Sequence, residues 1–167
     1  MTNPLILISL LLCMQVPNST SDDPEIRFTP GTRVEIDGRY DGEFLEAVKL
    51  VQEEDDEFLE IKGEVSSVNL QRSEITVGPF TILVDEKTDL DDSEDDEESH
   101  ELAEIQKNWR LEIEGQFVSP LIFKAVEIEV DTNPADRKSG LLELEGYVES
   151  QDLAEDGVQI LASHGIP

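Results

Sequence analysis

The body of this chain reads in steps of two. In Arg33-Val34-Glu35-Ile36-Asp37, and again in Arg110-Leu111-Glu112-Ile113-Glu114, apolar residues alternate with charged ones. Successive side chains of a strand point to opposite faces, so this pattern covers one face with Val, Leu and Ile and leaves carboxylates on the wet face. Glu127-Ile128-Glu129-Val130 and Glu143-Leu144-Glu145 repeat it. Asp41-Gly42, between Tyr40 and Phe44, is a hairpin signal, and Asp156-Gly157 opens another strand at residues 158–161. Val118-Ser119-Pro120 takes the turn's place further along. The pattern predicts an all-β protein of antiparallel strands with one covered face.

The strands come in pairs of copies. Thr32-Arg33-Val34-Glu35-Ile36-Asp37-Gly38-Arg39-Tyr40 returns 77 positions later as Trp109-Arg110-Leu111-Glu112-Ile113-Glu114-Gly115-Gln116-Phe117. Leu45-Glu46-Ala47-Val48-Lys49-Leu50 returns after 78 as Phe123-Lys124-Ala125-Val126-Glu127-Ile128. Leu59-Glu60-Ile61-Lys62-Gly63-Glu64-Val65 returns after 83 as Leu142-Glu143-Leu144-Glu145-Gly146-Tyr147-Val148. The drifting offset places insertions in turns and linkers, where they are tolerated. Gly38, Gly63, Gly115 and Gly146 interrupt the strands at recurring positions, as bulges or sharp coils that let a small sheet close. The expected architecture is therefore two small barrels from an internal duplication. Trp109, Phe117, Phe123 and Tyr147 fall at their core positions.

Acidic links separate the strands: residues 52–57, residues 131–139 and, longest, residues 85–100. In the last, Asp89, Asp91, Ser93, Asp95 and Glu97 are spaced like the ligands of a helix-loop-helix calcium site. The sixth position is Glu94 where the turn needs Gly, and the twelfth is His100 where a bidentate Glu is needed. The expectation is a solvated, disordered acid run, with Asp89, Asp91, Asp92, Asp95, Asp96 and Glu97 as weak candidates for unspecific divalent-cation binding. A helical turn over residues 101–107, capped by Ser99, is expected after it.

The start of the chain is a different material. Residues 5–14 form an apolar run about half as long as a bilayer crossing requires, followed by Asn18-Ser19-Thr20-Ser21. This predicts a signal-like helix over residues 1–21, export to the periplasm or medium, and no stable transmembrane span after processing. No Lys or Arg precedes Arg27, so the basic leader end is missing. Cys13, the single cysteine, follows Leu10-Leu11-Leu12 in a lipoprotein-like box whose Leu12 stands where a small residue belongs.

Charge narrows the functions. Forty acidic against 12 basic residues leave a formal −28 in 167 residues, a field that repels nucleic acid and anionic lipid. With His100 and His164 the two histidines, neither a nucleophilic triad nor a His-rich metal site can be assembled, and His100-Glu101 lacks the second histidine of a zinc-protease helix. No catalytic residue and no cofactor is expected.

The order Gly63-Glu64-Val65-Ser66-Ser67-Val68, Ser73-Glu74-Ile75-Thr76-Val77, Phe80-Thr81-Ile82-Leu83-Val84, Trp109-Arg110-Leu111-Glu112-Ile113-Glu114-Gly115 and Phe123-Lys124-Ala125-Val126-Glu127-Ile128 resembles domain-of-unknown-function family 5666. The resemblance implies a small OB-like β-barrel of exported bacterial proteins, often in tandem, with no established catalytic residues. It covers residues 57–131 as a complete unit. Residues 22–30 become a linker, residues 31–52 a C-terminal half-unit, and residues 140–167 an N-terminal half-unit that can pair with it. The functional expectation is a non-enzymatic binding or structural module of the cell envelope, with an unknown protein or envelope component as partner. The rivals are a calcium-responsive protein and an OB-type oligonucleotide or oligosaccharide binder.

Overall fold

The computed structural model describes residues 28–40, 45–92, 95–131, 140–152 and 157–161; the expected signal-like segment with Cys13, the expected turn at Asp41-Gly42 and the chain beyond residue 161 lie outside them. Every regular element among the described residues is a strand. In chain order these are β1 (Arg33–Tyr40), β2 (Leu45–Gln52), β3 (Leu59–Asn69), β4 (Glu74–Val77), β5 (Phe80–Leu83), β6 (Asp89–Asp92), β7 (Asp95–Ser99), β8 (Arg110–Ser119), β9 (Ile122–Asp131), β10 (Leu142–Asp152) and β11 (Gly157–Leu161). Where a helical turn is expected after Ser99, residues 101–108 hold successive turns, one closed by the Glu104 amide on the Glu101 carbonyl.

Five of the strands close on themselves. β3 pairs with β4, β4 with β5, β5 with β9, β9 with β8, and β8 returns to β3. The expectation of purely antiparallel strands fails at two contacts, β5 with β9 and β6 with β9, which run parallel. The reason is geometric: β9 is already paired with β8, so the ring closes at β9's other edge, where β5 arrives running the same way. Tight turns make the excursion fit. Gly78 begins the β4–β5 turn at φ 52°, a left-handed conformation that favours glycine.

Inside the ring the alternation is realised side chain by side chain. Leu111, Ile113 and Phe117 of β8 point inward beside Ile61 and Val65 of β3, Ile75 and Val77 of β4, Phe80 and Ile82 of β5, and Phe123 and Ile128 of β9. Phe117 stands edge-on to both Phe80 and Phe123, with ring centroids 5.5 and 4.8 Å apart. Each such fully buried side chain contributes roughly 1.5–3 kcal/mol. Trp109 and Tyr147 pack against this core without being enclosed by it.

The glycines divide by role. The register slips between Glu114 and Gly115 where β8 meets β9, and between Asp37 and Gly38 where β1 meets β2. Each slip leaves one extra residue on the partner strand, Val126 in β9 and Val48 in β2, and both valines are exposed. Beyond the slip the inward parity of β9 shifts from Phe123 and Ala125 to Ile128 and Val130. Gly63 carries no slip: a Cβ there would come within 2.6 Å of Val77 Cγ1, so it is a close-packing position.

The remaining strands extend the sheet. β10 lies against β3 at Glu143↔Lys62 and Leu144↔Ile61, β1 lies on β10, β2 on β1, and β11 on the far part of β10. β1 opposes β10 with Gly38 against Leu142 and Val34 against Gly146. β8 opposes β3 with Gly115 against Leu59 and Leu111 against Gly63.

Candidate functional site

The acidic segment is partly strand. Residues 85–100, expected to be disordered throughout, contain β6 and β7; β6 runs parallel to β9 from Asp89↔Glu127 to Asp92↔Val130, and β7 folds back on it. Thr88, buried before β6, ties this excursion to the ring by donating to the Ala125 carbonyl at 3.1 Å, while its hydroxyl accepts the Asp85 amide at 3.0 Å. Asp89 and Asp91 ride on β6, and Asp95, Asp96 and Glu97 on β7; the side chains of residues 92–99 lie outside the described set. Among the described residues no group of His, Cys, Asp and Glu is arranged to hold a metal ion. His100 sits edge-on to Trp109, its Nδ1 3.6 Å from the Glu104 carboxylate.

The concentrated chemistry lies elsewhere, on the strand faces where β1, β10, β3 and β8 meet. Arg33 opens β1 and is 5% exposed; its Nη2 donates to Glu145 at 2.6 Å and to the Phe58 carbonyl at 2.8 Å. Arg110 opens β8 and is as deeply held; its Nη2 donates to Glu143 at 2.6 Å and its Nη1 to the Leu141 carbonyl at 3.0 Å. The two arginines thus reach across the β3–β10 contact in opposite directions, each to the residue just before the other pair's strand. Glu145 also accepts the Glu60 amide at 2.9 Å. Such ion pairs add little net stability over apolar packing, but removing one partner leaves an uncompensated buried charge and is costly.

Lys62 forms the centre of a second cluster, 3.1 Å from both Glu60 and Glu112. Burial pushes the Glu60 carboxyl up to about 8, and its hydrogen bond and repulsion with Glu112 push the same way. Burial works on Glu112 too, but the hydrogen bond with Glu60 and the charge of Lys62 prevail and bring it below the usual range. Of the two, Glu60 is therefore the carboxyl that keeps its proton to the higher pH. Glu114, next along β8, is also raised, by burial first and then by Glu127 and Asp56.

A cleft of about 440 Å³ lies beside Arg33, lined among others by Thr29, Gly31, Thr32, Glu53 and Asp55. Arg33 Nε and Nη1 have no hydrogen-bond partner among the described residues. In the other arginine the corresponding Nε lies 4.0 Å from Asp131.

Residues 62–129 match the family model of a domain of unknown function (DUF5666). The DUF5666 match begins within β3 and ends within β9, so it spans the closed ring and carries the resemblance read from Gly63 to Ile128. No curated protein and no solved structure matches the chain. Sequence reasoning missed the two arginines, which alternation alone assigns to the wet face. A signal was present: Arg33 and Arg110, two of only 12 basic residues, each open a run of the same alternation that ends in a glycine, Val34-Glu35-Ile36-Asp37-Gly38 and Leu111-Glu112-Ile113-Glu114-Gly115.

Proposed function

We propose that this chain is an exported, non-enzymatic binding or structural module of the bacterial envelope, made of one complete OB-like barrel and a second, related unit assembled from both ends of the chain. The ring order β3-β4-β5-β9-β8, with its parallel closure, supports the OB-like reading of the DUF5666 segment. The duplication is supported by equal registers. Gly38 opposes Leu142 as Gly115 opposes Leu59, and the slip between Val148 and Ser150 in β10 matches the one between Val65 and Ser67 in β3. The apolar residues 5–14 support export.

The observation that carries the binding class is what the cations do. Arg33, Arg110, Lys62, Lys49 and Lys124 are each bound to the chain's own carboxylates. A groove for a phosphate backbone needs basic groups gathered on one face; these five are each held by a carboxylate, and the other described cations, Arg39, Arg72, Lys87 and Lys107, are exposed on separate parts of the chain. The partner is accordingly a protein or another uncharged or cationic envelope component, and no nucleic acid.

Fractionating bacteria that express the full chain tests this reading. Mature protein in the periplasm or medium, with an intact mass beginning near Ser21 or Asp22, is the expected result. Protein retained in the cytoplasm with Met1 intact overturns it, as does saturable, salt-sensitive binding of a single-stranded oligonucleotide.

A further inference from the structure

The wet face of the sheet carries carboxylates in line. At one level of the register Glu35 of β1 opposes Glu145 of β10, Glu60 of β3 opposes Glu114 of β8, and Glu114 opposes Glu127 of β9. Glu145 and Glu60 complete the row across the β3–β10 seam, one step on from the pair Leu144↔Ile61, where the Glu60 amide donates to the Glu145 carboxylate at 2.9 Å. Like charges directly opposite one another on paired strands are destabilising, and here consecutive strands from β1 to β9 present them.

The seam is the narrowest joint in that row. β3 and β10 share the register pairs Glu143↔Lys62 and Leu144↔Ile61, whereas β1 follows β10 from Arg33↔Tyr147 to Gly38↔Leu142 and β3 follows β8 from Leu59↔Gly115 to Glu64↔Arg110. On the covered side Leu142 fills a notch left by two glycines: a Cβ at Gly63 would lie 2.9 Å from Leu142 Cδ1, and one at Gly78 3.1 Å from its Cδ2. This packing, with the pairs Arg33–Glu145 and Arg110–Glu143 on the wet side, holds the seam against the repulsion of the row.

We propose that the seam between β3 and β10 is a pH-sensitive joint: closed while the carboxylate row retains protons, it loosens as they are lost and frees β1, β2 and β10 from the ring, which stays folded. The proposal depends neither on the two-unit reading nor on export. Glu60 is its centre. On its own strand Glu60 faces Lys62; from β8 it faces Glu112 and Glu114; from β10 it faces Glu145, with Glu143 opposite Lys62. Asp56, ahead of β3, acts on Glu114, and the two nearby arginines are held by Glu145 and Glu143. Burial and then Glu112 push the Glu60 carboxyl from 4.5 up to about 8. Glu114 is raised as well, by burial first, and Glu145 across the seam is among the smaller causes. A carboxyl raised by the closed form contributes fully below its ordinary value, and the contribution is lost as the pH rises through the raised one. For Glu60 that window runs from 4.5 to about 8. Glu112, held below the usual range, stays charged throughout the window, and its repulsion remains inside the ring, where β8 stays on β3.

The test is hydrogen exchange on the full chain at about pH 5 and about pH 9, each amide's rate being divided by its chemical exchange rate at that pH. Protection in β1 and β10 relative to β4 and β5 should fall about threefold to tenfold between the two, one proton setting a ceiling of about tenfold per pH unit. In Glu60→Gln, which keeps the neutral shape, most of the fall should disappear. Leu142→Ala, which empties the glycine notch without touching the row, should lower the ratio at both pH values alike and keep the parent's fall. The parent's ratio is read without any variant, so a substitution that fails to fold leaves the test standing. A constant ratio in the parent overturns the proposal, as do β4 and β5 losing protection in step with β1 and β10, or a fall that Glu60→Gln leaves unchanged. An unaltered ratio in Leu142→Ala would show that β1 and β10 are held elsewhere than at this seam, and overturns it too.

Discussion

At the scale of single residues, position in the register decides what alternation alone misassigns. Gly115 is a clear case: a Cβ there would run into the Lys124 carbonyl and come within 2.9 Å of Phe123, and neither a backbone group nor a core ring can give way cheaply. Gly115→Ala is expected to cost about 1–3 kcal/mol, read as a lower urea midpoint with unchanged slope. Glu60 gives a pH signature. Its carboxyl is raised in the folded state from 4.5 to about 8, so the neutral form is the one the fold favours. Its contribution is fully present below about 4.5 and is lost as the pH rises through about 8. Glu60→Gln keeps the neutral shape without the titration. The variant should match the parent near pH 4 and become more stable than it towards pH 9, by about 1–2 kcal/mol after solvent screening, measured by denaturation across that range.

At the scale of elements, the seam between β3 and β10 joins two sets of strands through few backbone pairs and two crossed arginines. β1 depends on β10 along Arg33↔Tyr147 to Gly38↔Leu142, whereas β8 depends on β3, inside the ring. Deleting residues 140–167 removes the partner of β1 together with Glu145 and Glu143, and leaves every pairing of the ring intact. Hydrogen exchange on that truncated protein should show lost protection in β1 and β2 and retained protection in β3, β4, β5, β8 and β9. Loss throughout would mean that the sheet is one inseparable cooperative unit.

At the scale of the whole molecule, charge dominates. Forty carboxylates against 12 basic groups repel one another in the compact state. Screening over about 8–10 Å at ordinary ionic strength relieves this without a specific site. Thermal stability is therefore expected to rise smoothly with salt, with calcium and magnesium acting alike at equal ionic strength. A calorimetric titration that saturates at about one calcium per chain with micromolar affinity and no magnesium competition would falsify the screening account and favour a built cation site.

What the sequence determined by itself was everything carried by local period. The strands around Val34, Ile36, Leu111, Ile113, Ile128 and Leu144 follow from alternation, and the DUF5666 segment follows from short motifs within it. Of the four glycines that interrupt the strands, Gly38 and Gly115 stand at slips while Gly63 and Gly146 pair in unbroken register, so the sequence marked the candidates and the pairing decided which of them bend. Tertiary structure decided the rest. The parallel closure of β5 on β9, the strands in the acid run, and the burial of Arg33 and Arg110 depend on which edge is left free and which carboxylate lies opposite. Those are relations between residues far apart in the chain. Local period says which face a side chain takes, and only the closed sheet says what covers that face.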